Sequence, residues 1–342
     1  MFFKKTTFNA KITTLKQRQS IIRAIRHFFD AREYMEVETP ILQISPCMDT
    51  HIHAFATQYK DISLKDKQSL YLHTSPEFGM KKLLSAGCTQ IYQICHVFRN
   101  ADDTKLHSPE FTMIEWYNTD LSYTELMDEA RDLIQNCAQT IGVERFSWQG
   151  HEVNVMQDWQ KISIAQAFTL YADLDLDSYL DNIDLFKEAV RAKGLHVSDD
   201  DRWDDIFHRV MLEYIEPHLG MAAPSILYDY PKCMAALAQI SPNNPNYAER
   251  FEIYIAGVEL ANGFGELTDP VEQRERFVGE MNAKDALYGE RYPVDEAFIA
   301  ALEQGLPRCS GIALGIDRLV MLATGAQHIN DVLWHPVDLS FY

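Results

Sequence analysis

The chain contains pairs of strand-like segments joined by short connections, and this arrangement constrains the fold more than any other feature. Residues 91–99 and 110–117 are largely apolar stretches joined by a polar ten-residue loop. A second pair flanks Ala256-Gly257, which is typical of a two-residue hairpin turn. Hairpins join antiparallel strands, whereas parallel strands need long crossovers. The sequence therefore predicts an α+β fold built on a largely antiparallel sheet.

Helices are predicted around these strands. An apolar stripe at helical spacing marks an N-terminal helix and comprises Ile21, Ile22, Ile25, Phe28 and Phe29. Further helix starts are indicated by three capping signals, namely Pro76-Glu77, Ser122 with Glu125, and Asp269-Pro270. No internal repeat and no linker rich in Gly, Ser or Pro divides the 342 residues. We therefore expect a single domain, residues 1–342, with a mainly helical and acidic insertion at 147–220.

The distribution of charge limits the kinds of partner. The chain has 31 Lys and Arg residues against 50 Asp and Glu residues, and its net charge of −19 argues against broad binding to nucleic-acid phosphates. Residues 1–29 nevertheless contain seven Lys or Arg residues and no acid. A local basic surface suited to an acidic protein partner is expected there.

Composition also indicates a cytoplasmic protein. No stretch approaches the roughly 18 consecutive apolar residues of a membrane span, so no membrane contact is expected. The 6 cysteines form no CxxC pair and no Cys/His cluster. We expect reduced, buried thiols rather than disulfides or structural zinc.

Any phosphate ligand must be held by side chains, because neither GxxxxGKS/T nor GxGxxG after a strand is present. The best candidate is the hairpin that starts at Phe98-Arg99-Asn100. Period-two alternation places one set of residues on a single face of the returning strand, namely Phe111, Met113, Glu115 and Tyr117. This face suits a ligand, although ordinary packing around a salt-bridged Glu115 is an alternative.

Two glutamates are predicted to share a face of the second hairpin. With a turn at Ala256-Gly257, the expected pairs are Ile255 with Val258, Tyr254 with Glu259, Ile253 with Leu260, and Glu252 with Ala261. Glu252 and Glu259 then lie on the polar face and repel each other unless a cation is near, and oxygen ligands suit Mg²⁺ carried by a nucleotide. The alternative is a solvated polar face.

A third candidate follows the small-residue segment 310–315, which predicts a strand to which a ligand can come close. Arg318 stands in the first turn of the helix that follows and could bind a terminal phosphate in bidentate fashion. The alternative is that Arg318 pairs with Asp317 or another acid.

In this order, the segments resemble the three motifs of class II aminoacyl-tRNA synthetases, and of the lysine branch in particular. The matching segments are the extended stretch closed by Pro40, residues 98–100 with 109–115, and residues 311–322. Residues 259–267 resemble the lysine-specific sequence between the second and third motifs. The resemblance implies an antiparallel sheet flanked by helices, dependence on ATP and Mg²⁺, and a homodimer formed through the N-terminal helix and the segment ending at Pro40.

One departure from lysyl-tRNA synthetases concerns the N-terminus. Only about fifteen residues precede the predicted helix, which leaves no room for an anticodon-binding domain. The chain is similar instead to the free-standing ligases that attach (R)-β-lysine to a lysine of elongation factor P, and Ser75-Pro76-Glu77, Tyr117 and Ala313 fit that family. This implies elongation factor P as the acceptor, with tRNA not expected. The alternatives are a shortened synthetase that activates α-lysine and a non-catalytic regulatory paralogue.

The resemblance also implies roles for individual residues. The resemblance assigns catalytic roles to Arg99 and Arg318, and it assigns the binding of Mg²⁺ to Glu252 and Glu259. The ATP-binding residues would be Arg99, Asn100, Ala101, Ser108, Glu110, Phe111, Glu259, Leu260, Gly315 and Arg318. The residues around lysine or β-lysine would be Ser75, Pro76, Glu77, Glu115, Tyr117, Asn262, Glu266 and Ala313. Within the second motif, Ala101 stands where the family has Glu and Ser108 where it has Asn; Asp102 could replace the missing carboxylate.

Overall fold

The computed structural model describes residues 4–101 and 104–337. The strands of the described chain are β1 (Met35–Glu36), β2 (Leu42–Gln43), β3 (Ala56–Lys60), β4 (Asp66–Leu72), β5 (Gln90–Phe98), β6 (Glu110–Asn118), β7 (Arg145–Trp148), β8 (His151–Asn154), β9 (Gln160–Ser163), β10 (Ser225–Pro231), β11 (Tyr247–Ile255), β12 (Val258–Gly265) and β13 (Ser310–Gly315). The α-helices are α1 (Lys5–Asp30), α2 (Glu77–Ser85), α3 (Tyr123–Thr140), α4 (Ile164–Ala167), α5 (Ile183–Ala192), α6 (Trp203–Val210), α7 (Pro270–Tyr288), α8 (Glu296–Gly305) and α9 (Ile316–Thr324). None of the helices described is long and apolar enough to cross a membrane.

An eight-stranded sheet organises the molecule, in the order β1-β5-β6-β13-β12-β11-β10-β9. Its inner strands are antiparallel, and only the edge pairs β1/β5 and β9/β10 are parallel. The predicted α+β class with a largely antiparallel sheet is therefore confirmed. Strands β2, β4 and β3 form a separate small sheet beside it, and β7 and β8 form a two-stranded hairpin.

Alternate side chains of the central strands enter different parts of the interior. Ile114 and Trp116 of β6 belong to a core that also contains apolar residues of α1, α3 and α9. Tyr117 of β6 faces the other way and packs in a smaller core with residues of α2, α7 and α8. The period-two reading of this strand is confirmed, and one face of the sheet is left to carry polar side chains.

The N-terminal helix is longer than expected. It begins at Lys5 rather than near Lys16, because no Gly or Pro interrupts the residues between them. Ile21, Ile25 and Phe29 are buried in the core, as the apolar stripe predicted.

The segment 147–220 contains short strands as well as the helices that were expected. It starts with the β7/β8 hairpin, whose turn residues Gln149 and Gly150 both have positive φ, and continues into β9 at the edge of the main sheet. The helical part lies beyond β9 and packs through Phe168, Phe186 and Phe207. Sequence reasoning missed the hairpin because it did not recognise the Gln-Gly turn.

All six cysteines carry free thiols. Their burial was only partly predicted, because Cys137 and Cys309 are buried whereas Cys233 is exposed.

Candidate active site

A cavity of about 220 Å³ opens on the polar face of the sheet. Ser75 and Glu77 reach the cavity from the start of α2. Glu266, which also reaches it, is the residue that follows β12. The other predicted residues that line this first cavity are Arg99, Glu115, Tyr117, Asn262 and Ala313. The structure thus brings together seven of the eight side chains assigned to the amino acid, from segments up to 238 positions apart.

A second cavity of about 400 Å³ adjoins the first, and Arg99, Asn262 and Ala313 line both. The remaining predicted residues in its wall are Asn100, Ala101, Ser108, Phe111, Glu259, Leu260, Gly315 and Arg318. The residues assigned to ATP and those assigned to the amino acid therefore lie in neighbouring cavities that meet at Arg99.

Three predicted residues do not line either cavity. Pro76 is the N-cap of α2. Glu110 is half-exposed and lies 2.8 Å from Nδ1 of His96. Glu252 is buried among other polar side chains. Asp102, the suggested replacement for the family's glutamate, lies outside the described residues.

A bulge in the second hairpin decides which side chains reach the cavities. The turn at Ala256-Gly257 has positive φ at both residues, and the first two predicted pairs are present. Beyond them the predicted register is wrong: Ile253 pairs with Ala261 and Glu252 with Asn262. The shift arises because Leu260 and Ala261 are consecutive and both enter the core. It places Asn262 on the same face as Glu252.

Strand register then aligns a row of residues across four strands. Glu115 pairs with Ala313, Ala313 with Asn262, and Asn262 with Glu252. Ala313 is the smallest member of this row and lies between a carboxylate and an amide. Its single methyl group therefore occupies the floor shared by the two cavities.

Glu77, Glu115 and Glu266 form an acidic cluster at one end of the first cavity, together with a lysine that sequence reasoning missed. Lys81 is fully buried, and its Nζ lies 2.5 Å from Oε1 of Glu77 and 2.5 Å from Oε2 of Glu266. The spacing of four residues between Glu77 and Lys81 on α2 was the available signal. Both carboxylate oxygens of Glu266 are buried without a partner of hydrogen-bond geometry among the described residues, and Oε2 is the one in ion-pair contact with Lys81.

Burial and mutual repulsion shift the pKa values in the acidic cluster. Burial, with the charge of Glu77 adding to it, raises the pKa of Glu115 to about 7, although Ser75 and Tyr117 donate hydrogen bonds of 2.5 and 2.9 Å to its carboxylate. Burial also raises the pKa of Glu266, and Lys81 opposes this shift. A cation in the cavity would favour the ionised form of both carboxylates.

Gly311 creates the space in which Tyr117 and Glu266 approach β13. A Cβ atom at this position would overlap the Tyr117 ring and lie 2.5 Å from Oε1 of Glu266. The φ of Gly311 is not in the left-handed region. The glycine is therefore required for space rather than for backbone conformation.

Arg99 stands at the junction of the two cavities. Its guanidinium lies 5.3 Å from the centre of the Phe111 ring, and its Nε is buried without a hydrogen-bond partner in the described chain. An unsatisfied buried guanidinium nitrogen is costly, so this position favours an anionic ligand.

Arg318 is held in the second cavity by two hydrogen bonds and by an ion pair of 3.8 Å with Oε2 of Glu259. It donates 2.7 Å to the backbone carbonyl of Glu259 and 2.6 Å to Nε2 of His107, which must therefore be an acceptor. Nδ1 of His107 then carries the proton and lies 2.6 Å from the hydroxyl of Thr104. His107 was missed because it lies in the polar loop, where alternation gives no guidance.

Asp317 does not pair with Arg318, but the alternative interpretation of the third motif is met in its other form, because Arg318 forms an ion pair of 3.8 Å with another acid, Glu259. Asp317 forms a buried ion pair with Arg18 of α1 and accepts a hydrogen bond of 2.6 Å from the backbone of Thr112. Arg18 also donates 2.8 Å to the Thr112 hydroxyl.

Glu252 and Glu259 share a face, as predicted, but Glu252 already has a cation beside it. It accepts hydrogen bonds of 2.7 Å from Arg250, 2.7 Å from Tyr254 and 3.2 Å from Asn262. Burial and the charge of Glu252 raise the pKa of Glu259. Within residues 4–101 and 104–337, no group of three or more His, Cys, Asp or Glu side chains is arranged to hold a metal ion. The protein thus offers two carboxylates, so further ligands would come from a nucleotide and water.

Comparison with known proteins identifies the family of the chain. The model of the family described as tRNA synthetases class II (D, K and N) matches residues 5–339. The chain belongs to this class II tRNA synthetase family.

Relatives within the class II synthetase family cover nearly the whole chain. A protein of Proteus mirabilis (strain HI4320) is 40% identical over 330 residues, which span 96% of each chain. A protein of Vibrio atlanticus (strain LGP32) is 39% identical over 333 residues, 97% of this chain and 98% of its own. A protein of Klebsiella pneumoniae (strain 342) is 40% identical over 332 residues, 96% of this chain and 97% of its own. All three are named elongation factor P–(R)-β-lysine ligase, and the resemblance seen in the motifs is confirmed.

Proposed function

We propose that this protein is an ATP-dependent ligase that activates (R)-β-lysine as an aminoacyl-adenylate and transfers it to a lysine side chain of elongation factor P. One observation carries the proposal beyond the names of its relatives. The acidic cluster sets three carboxylates against the single ammonium of Lys81, which leaves a charge of −2 when all four groups are ionised. A substrate with two ammonium groups balances that charge, whereas a neutral side chain would leave it uncompensated.

The amino acid occupies the first cavity in this proposal. Glu77 receives the amine nearer the carboxylate, and the distal ammonium lies among Glu266, Glu115 and Tyr117. Asn262 and Arg99 hold the carboxylate at the junction of the cavities. Ser75 orients Glu115, Pro76 starts the helix that carries Glu77, and Ala313 limits the depth beneath the substrate.

ATP occupies the second cavity. Phe111 stacks on the adenine, Arg99 binds the α-phosphate, and Arg318 binds a terminal phosphate. The remaining contacts to the nucleotide come from Asn100, Ala101, Ser108, Leu260 and Gly315, whereas Glu110 lies outside the second cavity beside His96. Glu259, with Glu252 behind it, would hold Mg²⁺, which neutralises phosphate charge when bound. The raised pKa of Glu259 supports this placement, because a nearby cation would relieve the repulsion between the two carboxylates.

The proposed reaction has two steps. A carboxylate oxygen of β-lysine attacks the α-phosphorus of ATP, the bond to the β-phosphate oxygen breaks, and pyrophosphate leaves. The neutral amine of the acceptor lysine then attacks the carbonyl carbon of the mixed anhydride, AMP leaves and the amine loses a proton. Arg99 and Arg318 contribute by positioning and by stabilising negative charge, so no protein nucleophile is needed.

The test is ATP–pyrophosphate exchange with (R)-β-lysine and L-α-lysine, followed by transfer assays with elongation factor P or tRNA. We expect Mg²⁺-dependent exchange that prefers (R)-β-lysine, and transfer to the protein only. Preference for α-lysine together with charging of tRNA would support the shortened synthetase instead. Binding of lysine analogues without any exchange would support the regulatory paralogue.

A variant of Glu266 tests the placement of the amino acid. Glu266→Gln should weaken β-lysine binding by about 2–4 kcal/mol, because it removes a buried charge opposite an ammonium, and should leave ATP binding nearly unchanged. Glu303→Gln, on the exposed part of α8, provides the matched control. A loss of ATP affinity with unchanged β-lysine affinity in calorimetry would contradict this placement.

We also propose a cytoplasmic homodimer. Support comes from exposed apolar side chains around the segment that ends at Pro40, including Met35, Leu42 and Ile44, which are 60%, 50% and 49% exposed. A monomeric mass in light scattering across micromolar concentrations would contradict the dimer.

A further inference from the structure

Lys81 has no place in the reaction described above, yet its ammonium is fully buried beside the first cavity. Its side chain is 0% exposed and does not line the cavity, whereas both of its carboxylate partners do. It comes from α2, the same helix as Glu77, and contacts Glu266 beyond the end of β12. Lys81 therefore fixes the position of two substrate-facing carboxylates without meeting the substrate.

The charged groups around Glu266 show which of them can stabilise its ionised form. The carboxylates of Glu77 on α2 and Glu115 on β6 both repel the negative charge of Glu266. Tyr117 and the buried thiol of Cys309 carry no positive charge that could offset this repulsion. Arg99, Arg250 and Arg276 also line the cavity, but Arg250 and Arg276 pair with Glu252 and Glu272 outside the cluster and Arg99 lies at the junction with the second cavity. Asp49 and Glu280, which also line the cavity, add no positive charge. Lys81 is the cation in direct contact with the acidic cluster.

We infer that Lys81 is a positioning residue for substrate selection: it keeps Glu266 ionised and oriented, so that the cavity accepts amino acids with two ammonium groups. This inference rests on the proposed function and adds a residue to it. Without Lys81, Glu77 and Glu266 would face each other without a counter-ion, and Glu266 would bind a proton. A protonated Glu266 cannot attract the distal ammonium by charge.

The different surroundings of the two carboxylate oxygens of Glu266 support this role for Lys81. Neither oxygen of Glu266 has a partner of hydrogen-bond geometry in the described chain, but Oε2 lies in an ion pair 2.5 Å from Nζ of Lys81, whereas Oε1 is buried without such a contact. Gly311 leaves Oε1 room beside Tyr117. One oxygen is thus anchored within the protein and the other is left for a ligand.

Two variants at this position separate charge from packing. Lys81→Met keeps the length of the side chain and removes the charge. Lys81→Gln removes the charge but keeps two N–H donors that can bond to both carboxylates, so that it preserves the fold better. Lys82→Met is the matched control, because Lys82 is the next residue on α2 and pairs with Asp295 instead.

The experiment measures KM for (R)-β-lysine and for ATP in pyrophosphate exchange, and the pH profile of kcat/KM for β-lysine. We expect both Lys81 variants to raise KM for β-lysine about ten-fold or more and to move the acidic limb of the profile upward by about one pH unit or more. KM for ATP should stay within about two-fold in these variants and in Lys82→Met. A shift of the acidic limb is the signature of a charge effect on Glu266 that loss of packing does not produce.

Three results would overturn the inference: an unchanged acidic limb, a similar rise in both KM values, or failure of both Lys81 variants to fold, which would make the ion pairs purely structural. Absence of exchange in the wild type would instead refute the proposed function itself. The wild-type assay therefore distinguishes the two failures.

Discussion

Arg18 of the first helix forms a buried ion pair with Asp317, the residue that precedes Arg318 at the start of α9. The same guanidinium bonds to Thr112, which follows Phe111 on β6. The N-terminal helix thereby holds together two elements, β6 and α9, that both contribute residues to the wall of the second cavity.

Breaking this ion pair should destabilise the protein strongly. We expect Arg18→Met to lower the free energy of unfolding by about 3–5 kcal/mol, because Asp317 would be left buried without a counter-ion. Arg26→Met, which breaks an exposed pair with Glu36 on the same helix, should cost less than about 1 kcal/mol. Denaturant unfolding measures the free energy of unfolding of both variants. Equal losses in Arg18→Met and Arg26→Met would show that the buried ion pair does not stabilise the protein more than the exposed one. Adding Asp317→Asn to Arg18→Met should recover part of the loss.

Glycine substitutions should have opposite effects at two positions. Gly311→Ala should cost about 1–3 kcal/mol of stability and raise KM for β-lysine, because its Cβ would displace Tyr117 and Glu266. Gly279→Ala, in the middle of α7, meets nothing within 4 Å and should stabilise the protein by up to about 1 kcal/mol. Thermal melting and exchange kinetics give the two readouts. Unchanged β-lysine binding in Gly311→Ala would show that the first cavity is not the amino-acid site.

The contribution of Glu115 to the stability of the ligand-free protein should fall as pH rises from about 4.5 to about 7. The folded-state pKa of Glu115, about 7, lies above its ordinary value of 4.5, so the native state holds a proton that the unfolded state has lost across that window. Each such group contributes a slope of up to about 1.4 kcal/mol per pH unit. Thermal melts should show a shallower slope in Glu115→Gln and with β-lysine bound. A slope that Glu115→Gln leaves unchanged would contradict the shift.

A carboxylate at position 101 should improve ATP binding. We expect Ala101→Glu to strengthen it roughly ten-fold, about 1–2 kcal/mol, by restoring a side-chain acceptor for the nucleotide. Ala101 has a φ of 62°, so Ala101→Gly is the control that relieves the backbone without adding an acceptor. Calorimetry with ATP measures both. If ATP affinity does not rise in Ala101→Glu but falls in Asp102→Ala, Asp102 already supplies the acceptor for the nucleotide.

The parts of the site that follow from local periodicity could be predicted from the sequence. The shared face of Glu115 and Tyr117 follows from alternation along one strand, and the Ala256-Gly257 turn follows from its residue types. Arg318 in the first turn of α9 follows from the strand-to-helix pattern. These features depend on neighbours in the chain, which the sequence displays directly.

The parts that depend on contacts between distant segments could not be predicted. The contact between Lys81 and Glu266 joins residues 185 positions apart, and the Arg18–Asp317 pair joins residues 299 apart. Arg250 beside Glu252 was missed because a hairpin pattern shows which face a residue is on but not which charges meet there. The bulge in β12 depends on how two consecutive apolar residues pack in the core, which alternation alone cannot show.

That bulge also predicts where the length of the chain can vary. Removing Leu260 would turn β12 into a regular strand in which Glu259, Asn262 and Glu266 keep their faces, because the bulge absorbs one extra residue. Removing Gly263 instead would move every later side chain to the opposite face of the sheet and direct Glu266 into the apolar core. Among homologous sequences aligned on this hairpin, single-residue deletions should therefore be tolerated at the bulge and absent between Asn262 and Glu266.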